Sequence, residues 1–312
     1  MESNTEEIDV IVVGAGPAGI SAGIYAARSG LSSVLLEKKA EGGQVAVTPT
    51  VENYPGYEQI TGTALTHQLA EHARQYVDIR KESVRELKVG KRIEVYTTSK
   101  VYLTKAVILS MGVNERHLNV EGEDKFYGRG VHYCATCDGF MYKDRKVLMA
   151  GGGDSALTEA IYLHELGASV EIIHRRDTFR AQEHLQQSAR SKNIPVHWNS
   201  VVEEIIGEDR VTGVRIRNVE TDATETLETE GLFIAIGNTA NSAIAAEIGI
   251  ETRKDGSIVV DGSQRTSMPR IYAAGDITGG VRQIVTAAGQ GAIAATTAFK
   301  DITQWEAEKS AK

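Results

Sequence analysis

The feature that most constrains this chain is a strand–turn–helix pattern built on closely spaced glycines, and it occurs twice. The first copy runs from a β-branched stretch, Ile8 to Val13, into Gly14-Ala15-Gly16-Pro17-Ala18-Gly19 and a helix of small residues, Ile20 to Arg28. A second apolar strand, Val34 to Leu36, follows and ends in Glu37. The second copy runs from Lys146 to Ala150 into Gly151-Gly152-Gly153-Asp154-Ser155-Ala156, a helix from Leu157 to Leu166 and a strand from Val170 to Ile173. In such a βαβ unit the first glycine allows a tight turn. The second lets backbone approach a ligand, and the third position brings helix and strand together. Two units predict two Rossmann-like three-layer domains of the α/β class, and 312 residues suffice for both.

The ends of the second strands differ, and that difference predicts two ligands. Phosphates sit at the helix N-terminus, where free N–H groups and the helix dipole favour anions. In the first unit Glu37 would accept hydrogen bonds from ribose hydroxyls, as in FAD or NAD. The same step from the turn of the second unit lands on His174, followed by Arg175, Arg176 and, close behind, Arg180. A carboxylate there would repel a ribose 2′-phosphate, whereas guanidinium groups bind it through paired hydrogen bonds. The spacing therefore favours NADPH over NADH at the second site; the plainer alternative is a solvated basic stretch after a strand.

The two cysteines of the chain, Cys134 and Cys137, stand just before the second unit in Cys134-Ala135-Thr136-Cys137-Asp138-Gly139. A secreted scaffold would carry more cysteines, spaced more widely. A lone Cys-x-x-Cys pair points to reversible dithiol chemistry. The competing reading is zinc with His132 as a third ligand, but a structural zinc site needs four ligands and there is no second cysteine pair. Asp138 is a candidate proton donor for a departing thiolate, with a simple turn residue as its bland alternative.

Composition narrows the function classes. A net charge of −8 argues against a general nucleic-acid or acidic-membrane binder. No apolar run approaches the roughly 18 residues that span a bilayer. Met1 to Ile8 is acidic and polar, unlike a signal peptide, so a soluble cytoplasmic protein is expected. The tail holds a third glycine-rich segment: a strand from Ile271 to Ala274 enters Gly275-Asp276, and an Ala/Gly-rich helix runs from Arg282 to Phe299. Lacking a full glycine fingerprint, this segment is expected to complete one of the other domains.

Taken in order, these motifs resemble the low-molecular-weight thioredoxin reductases over nearly the whole chain, Ile8 to Phe299. Further matching segments are Glu41-Gly42-Gly43-Gln44, Val51 to Gly56, Phe179-Arg180, Ala273 to Asp276 and Arg282-Gln283. The resemblance implies an FAD domain built from residues 1–113 and 244–312, with an NADPH domain, 114–243, inserted between its halves. It implies FAD contacts from Gly14, Gly16, Pro17, Ala18, Gly19, Glu37, Gly43, Gln44, Asn53, Val84, Gly112, Gly275, Asp276, Arg282, Gln283 and Ile284. NADPH contacts would come from Gly153, Asp154, Ser155, Ala156, His174, Arg175, Arg176, Arg180, Ile236 and Gly237. Cys137 would face the flavin, Cys134 would attack the disulfide of a thioredoxin or thioredoxin-like partner, and Asp138 would supply the proton. Phe140 would belong to the thioredoxin-facing surface, unless it is simply a buried aromatic. A homodimer is also implied.

Ser110-Met111-Gly112 departs from the Ala-Thr-Gly frequent in this family, which puts packing near the cofactor in question rather than the reaction. A cysteine pair on the inserted domain must meet a flavin and a separate protein at different stages. The expectation is therefore a swivel about the connections near 112–115 and 237–241.

Overall fold

The computed structural model describes residues 5–48 and 50–310. In chain order its elements are β1 (Thr5–Val13), α1 (Pro17–Arg28), β2 (Ser33–Glu37), α2 (Gly62–Arg74), β3 (Asp78–Lys81), β4 (Val84–Val89), β5 (Ile93–Thr97), β6 (Val101–Leu109) and β7 (Val113–Glu115). Then come β8 (Val131–His132), α3 (Ala135–Asp138), β9 (Lys146–Gly151), α4 (Asp154–Glu165), β10 (Ser169–Ile173), α5 (Glu183–Ser191), β11 (Val196–His197), β12 (Ser200–Gly207), β13 (Val211–Asn218), β14 (Thr224–Glu228) and β15 (Gly231–Ala235). The chain ends with β16 (Asn238–Ala240), α6 (Ala243–Glu247), β17 (Ile271–Ala273) and α7 (Ile284–Ser310). It divides into two compact units: Met1–Asn114 with Thr239–Lys312, and Glu115–Asn238.

In the first unit the sheet order is β3-β2-β1-β6-β5-β4, with β17 also pairing β6. Strands β2, β6 and β17 join it in parallel, while β4, β5 and β6 form an antiparallel meander. The continuous apolar run of β1 is what a strand covered on both faces needs. Val10 and Val12 enter one core with α1 and α7, and Ile11 and Val13 enter the other with Leu87, Val95 and Ile277. The tail segment thus completes this unit, as its lack of a fingerprint suggested. Small residues let α7 lie hard against α1: a Cβ at Gly291 would collide with the Ala18 carbonyl.

The second unit has a fully parallel sheet, β11-β10-β9-β15-β8, and a three-stranded antiparallel sheet, β12-β13-β14. Val147, Met149, Ile172 and Phe233 pack against α4, whereas Leu148, Ala150, Leu232 and Ile234 pack against Val202, Val214 and Ile216 of the antiparallel sheet. Helix, parallel sheet and second sheet make three layers. Both units are Rossmann-like, with the second interrupting the first. Among the described residues no helix is long and apolar enough to cross a membrane.

Candidate functional site

Each unit presents its glycine turn at the C-terminal end of a central strand, where open α/β sheets bind ligands. In the first, Gly16 is the extended N-cap of α1, and a Cβ placed there would meet nothing within 4 Å. Gly19, by contrast, packs so tightly on the Gly14 carbonyl that no Cβ fits. Proline at the first helical position is pre-set for the helix, so α1 begins at Pro17 rather than at Ile20 as expected from the sequence. The Glu37 carboxylate accepts hydrogen bonds from Ala15 N and Lys39 N, both at 2.8 Å, which holds it at the mouth of the turn with lone pairs to spare.

Other expected residues gather around this turn. Gly43 lies beside Gly16, and Gln44 donates to the Val113 carbonyl at 2.7 Å. Asn53 donates to the Gln283 side chain at 3.0 Å. Gly275 approaches Ala18, and burial raises the Asp276 carboxyl above its ordinary range, opposed by the nearby charge of Arg282. The buried Arg282 Nε has no hydrogen-bond partner among the described residues. An open, uncapped helix N-terminus and an unsatisfied buried guanidinium nitrogen fit a dinucleotide bearing phosphates and polar ring edges. Val84 and Gly112 are not tied to this cluster by a hydrogen bond among the described residues, and Ile284 is the first residue of α7. The sequence hid two contributors. The Ser110 hydroxyl reaches the Val13 and Gly14 carbonyls at 2.8 and 2.9 Å, and Gln290 accepts from Gly275 N at 2.8 Å. Ser110 stood out only as a departure from a family pattern, and Gln290 carried no signal.

The second turn repeats the backbone. Gly153 is the extended N-cap of α4, and a Cβ there would also meet nothing within 4 Å. Gly152 admits no side chain because the His174 ring lies on it. Burial lowers the His174 pKa, and the charges of Arg176, Arg180 and Arg175 act in the same direction. With the ring neutral, Nε2 donates to the Thr178 carbonyl at 3.0 Å. The loop then folds back: Arg180 N donates to Gly152 O at 3.0 Å and Gln182 N to Asp154 Oδ1 at 2.8 Å. Ala235 pairs with Gly151, so Ile236 and Gly237 emerge next to the turn, while Ser155 and Ala156 belong to α4. Arg175, Arg176 and Arg180 are exposed and form no ion pair among the described residues. This donor set fits a phosphorylated ribose.

The cysteines lie in the same unit, bonded to each other as a disulfide across the first turn of α3, with Cys134 as its N-cap. Glu159 of α4 accepts from Ala135 N at 3.1 Å, tying the short helix to the dinucleotide-type helix. Asp138 closes α3, and its Oδ2 lies 3.0 Å from His132 Nδ1. Phe140 and Met141, just beyond, are half exposed, so the buried-aromatic alternative for Phe140 does not hold. A disulfide held on a short helix tied to α4 can accept two electrons and release them to another disulfide.

The family model "Pyridine nucleotide-disulphide oxidoreductase" matches residues 8–291. The chain belongs to the pyridine nucleotide-disulphide oxidoreductase family. Thioredoxin reductases are among the relatives it resembles over nearly its whole length. That of Listeria monocytogenes is 38% identical over 309 residues, covering 97% of each chain. That of Bacillus subtilis is 40% identical over 292 residues, covering 92% of each. The crystal structure of thioredoxin reductase from Streptococcus pyogenes superposes with a TM-score of 0.89 at 40% identity, covering 96% of this chain and 99% of the other.

Proposed function

We propose that this chain is an NADPH-dependent thioredoxin-disulfide reductase with FAD as its resident cofactor, working as a cytoplasmic homodimer. The observation that carries the reading is the Cys134–Cys137 disulfide, set in a unit that also offers an uncapped glycine turn and three exposed arginines. When bound, the flavin would carry electrons between the nicotinamide and this disulfide.

The roles of the chain's own groups follow from their chemistry. Gly14, Gly16 and the first turn of α1 would take the flavin dinucleotide's pyrophosphate, and Glu37 its ribose hydroxyls. Gly153, Asp154 and the start of α4 would take the NADPH pyrophosphate, with Arg175, Arg176 and Arg180 holding the 2′-phosphate. Cys134 would attack the partner disulfide, Cys137 would close the enzyme disulfide again, and Asp138 would hand the proton to the departing sulfur.

The test is NADPH oxidation by the purified protein against a panel of oxidised thioredoxins, peroxiredoxins and other thioredoxin-like proteins. Fast turnover on at least one thioredoxin is expected, and Cys137→Ser should abolish it while NADPH still bleaches the flavin. Turnover on a peroxiredoxin with none on any thioredoxin would move the assignment to that partner. A colourless protein that cannot be reconstituted with FAD would overturn it altogether.

A further inference from the structure

His132 is buried, with 3% of its surface exposed, two positions before the redox pair, and nothing in the electron path described above uses it. Its ring is clamped from two sides. Phe233, its register partner on β15, stacks on it at 5.1 Å between centroids, and Tyr142 meets it edge-on at 5.3 Å. Both ring nitrogens are engaged: Nδ1 lies 3.0 Å from Asp138 Oδ2, and Nε2 lies 2.7 Å from the Tyr142 hydroxyl. Burial, and then the charge of Asp138, push the Tyr142 phenol up to about 12, with Arg210 and Arg145 opposing and Glu230 adding. Tyr142 is therefore a neutral hydroxyl that can donate or accept. Tyr127 also faces Asp138, and burial followed by the charges of Glu115 and Asp138 pushes its phenol up to about 12.

We propose that His132 is a positioning residue for thiol–disulfide exchange, holding the Asp138 carboxyl group beside the cysteine pair and keeping it hydrogen-bonded in both protonation states. When Asp138 is ionised, Nδ1–H donates to it and Nε2 accepts from Tyr142. When Asp138 carries a proton, its O–H donates to Nδ1, and Nε2–H donates to the Tyr142 oxygen. Only the tautomer changes, and the clamped ring need not move.

Exchange requires both states. Asp138 takes the proton of the Cys134 thiol. The Cys134 thiolate attacks one sulfur of the partner disulfide, that S–S bond breaks, and the departing sulfur takes the proton from Asp138. The Cys137 thiol then gives its proton to Asp138, and its thiolate attacks the mixed disulfide at Cys134. The enzyme disulfide re-forms, and the second partner sulfur leaves with that proton. Two electrons and two protons pass from enzyme dithiol to partner dithiol, and the carboxyl group cycles twice. The inference rests on the reading of Asp138 as proton carrier.

The test uses holoprotein reduced with dithiothreitol and desalted without air, so that it does not depend on NADPH. Single-turnover rates are measured with 2-hydroxyethyl disulfide, whose alkyl thiolate leaves poorly without a proton, and with 5,5′-dithiobis(2-nitrobenzoic acid), whose aromatic thiolate leaves unprotonated. His132→Phe, which keeps the stack but removes both nitrogens, should slow the alkyl disulfide about tenfold to a hundredfold, and about tenfold more than the aromatic one, which needs Asp138 only to take the thiol proton. His132→Asn, which restores a hydrogen-bonding group near Nδ1, should recover part of the loss. Asp138→Asn should show the same selectivity, and adding His132→Phe to it should cost little more. Equal losses on both disulfides would show that His132 merely supports the fold, and an undiminished alkyl rate would overturn the proposal outright. Variants that show the selective pattern, together with a wild type that never oxidises NADPH, would sink the proposed function while leaving this inference standing.

Discussion

The two glycine turns are close copies in backbone and differ in what surrounds them. Both helices start from an extended glycine with open space before it, and neither carries a side-chain cap among the described residues. In the first unit the third motif position is Gly19, jammed against the Gly14 carbonyl; in the second it is Ala156, whose Cβ sits in the core. The second strand ends in a carboxylate tied to the turn in one unit and in a buried histidine flanked by exposed arginines in the other. Under the proposed function, anion binding at a helix start would be a property of the shared backbone, and the choice of dinucleotide would be left to the strand end.

The largest expected break in this symmetry is steric. Gly19→Ala should cost on the order of 4 kcal/mol, because its Cβ meets backbone that cannot give way. Ala156→Gly should cost only about 2 kcal/mol, the usual helix penalty plus the loss of one buried methyl. Urea unfolding followed together with flavin absorbance checks both, and similar costs at the two positions would remove the distinction between the turns. Next comes ligand choice. Replacing Arg175 and Arg180 with Gln should lower kcat/KM for NADPH about a hundredfold and for NADH less than about threefold, since only one cofactor carries the 2′-phosphate. Equal losses would make the arginines structural.

Glu37→Gln should weaken flavin retention about tenfold, measured by fluorescence on dilution, because an amide accepts ribose hydroxyls less well than a carboxylate. Unchanged retention would place the acid's role in bracing Ala15 alone. The smallest effect concerns pH. Burial lowers the His174 pKa below its ordinary 6.5, so the unfolded chain binds more protons. The stability contributed by the neutral ring is complete above about 6.5 and is lost as the pH falls from there toward the folded-state value. The urea midpoint of the wild type should therefore drop more between pH 7.5 and 5.5 than that of His174→Phe, and parallel curves would count against a neutral buried ring.

Most of the fold could be read from the chain because each glycine turn fixes a strand before it and a helix after it, and Glu37 and His174 mark the ends of the second strands. Local limits were less legible. The helices start at the turns themselves, at Pro17 and Asp154, rather than at Ile20 and Leu157, because an extended glycine cap lets helical geometry begin at once. The last helix runs from Ile284 to Ser310 rather than from Arg282 to Phe299. Ile302 is still buried in its core, and Asp301 binds Arg265 at 2.8 Å and Tyr272 at 2.7 Å, anchors that composition does not reveal. Contacts such as Asn53 with Gln283 join opposite ends of the sequence, and the His132–Asp138 pair joins a strand to a helix, so no periodicity marks them.

Where the chain leaves the first unit and where it comes back, β7 and β16 pair as a two-stranded ribbon. This sets an order for assembly. The first unit cannot finish its core until α7 reaches α1, and that contact spans the whole inserted segment. While the insert is unfolded it is a long floppy loop. Once folded, with its two ends side by side, it becomes a short connection. That change amounts to about four doublings of loop length, or about 2 kcal/mol of closure entropy at roughly 0.6 kcal/mol each. During synthesis the insert emerges complete before α7 does, so the interruption in the first unit's sequence acts as a clasp that helps its two halves find each other.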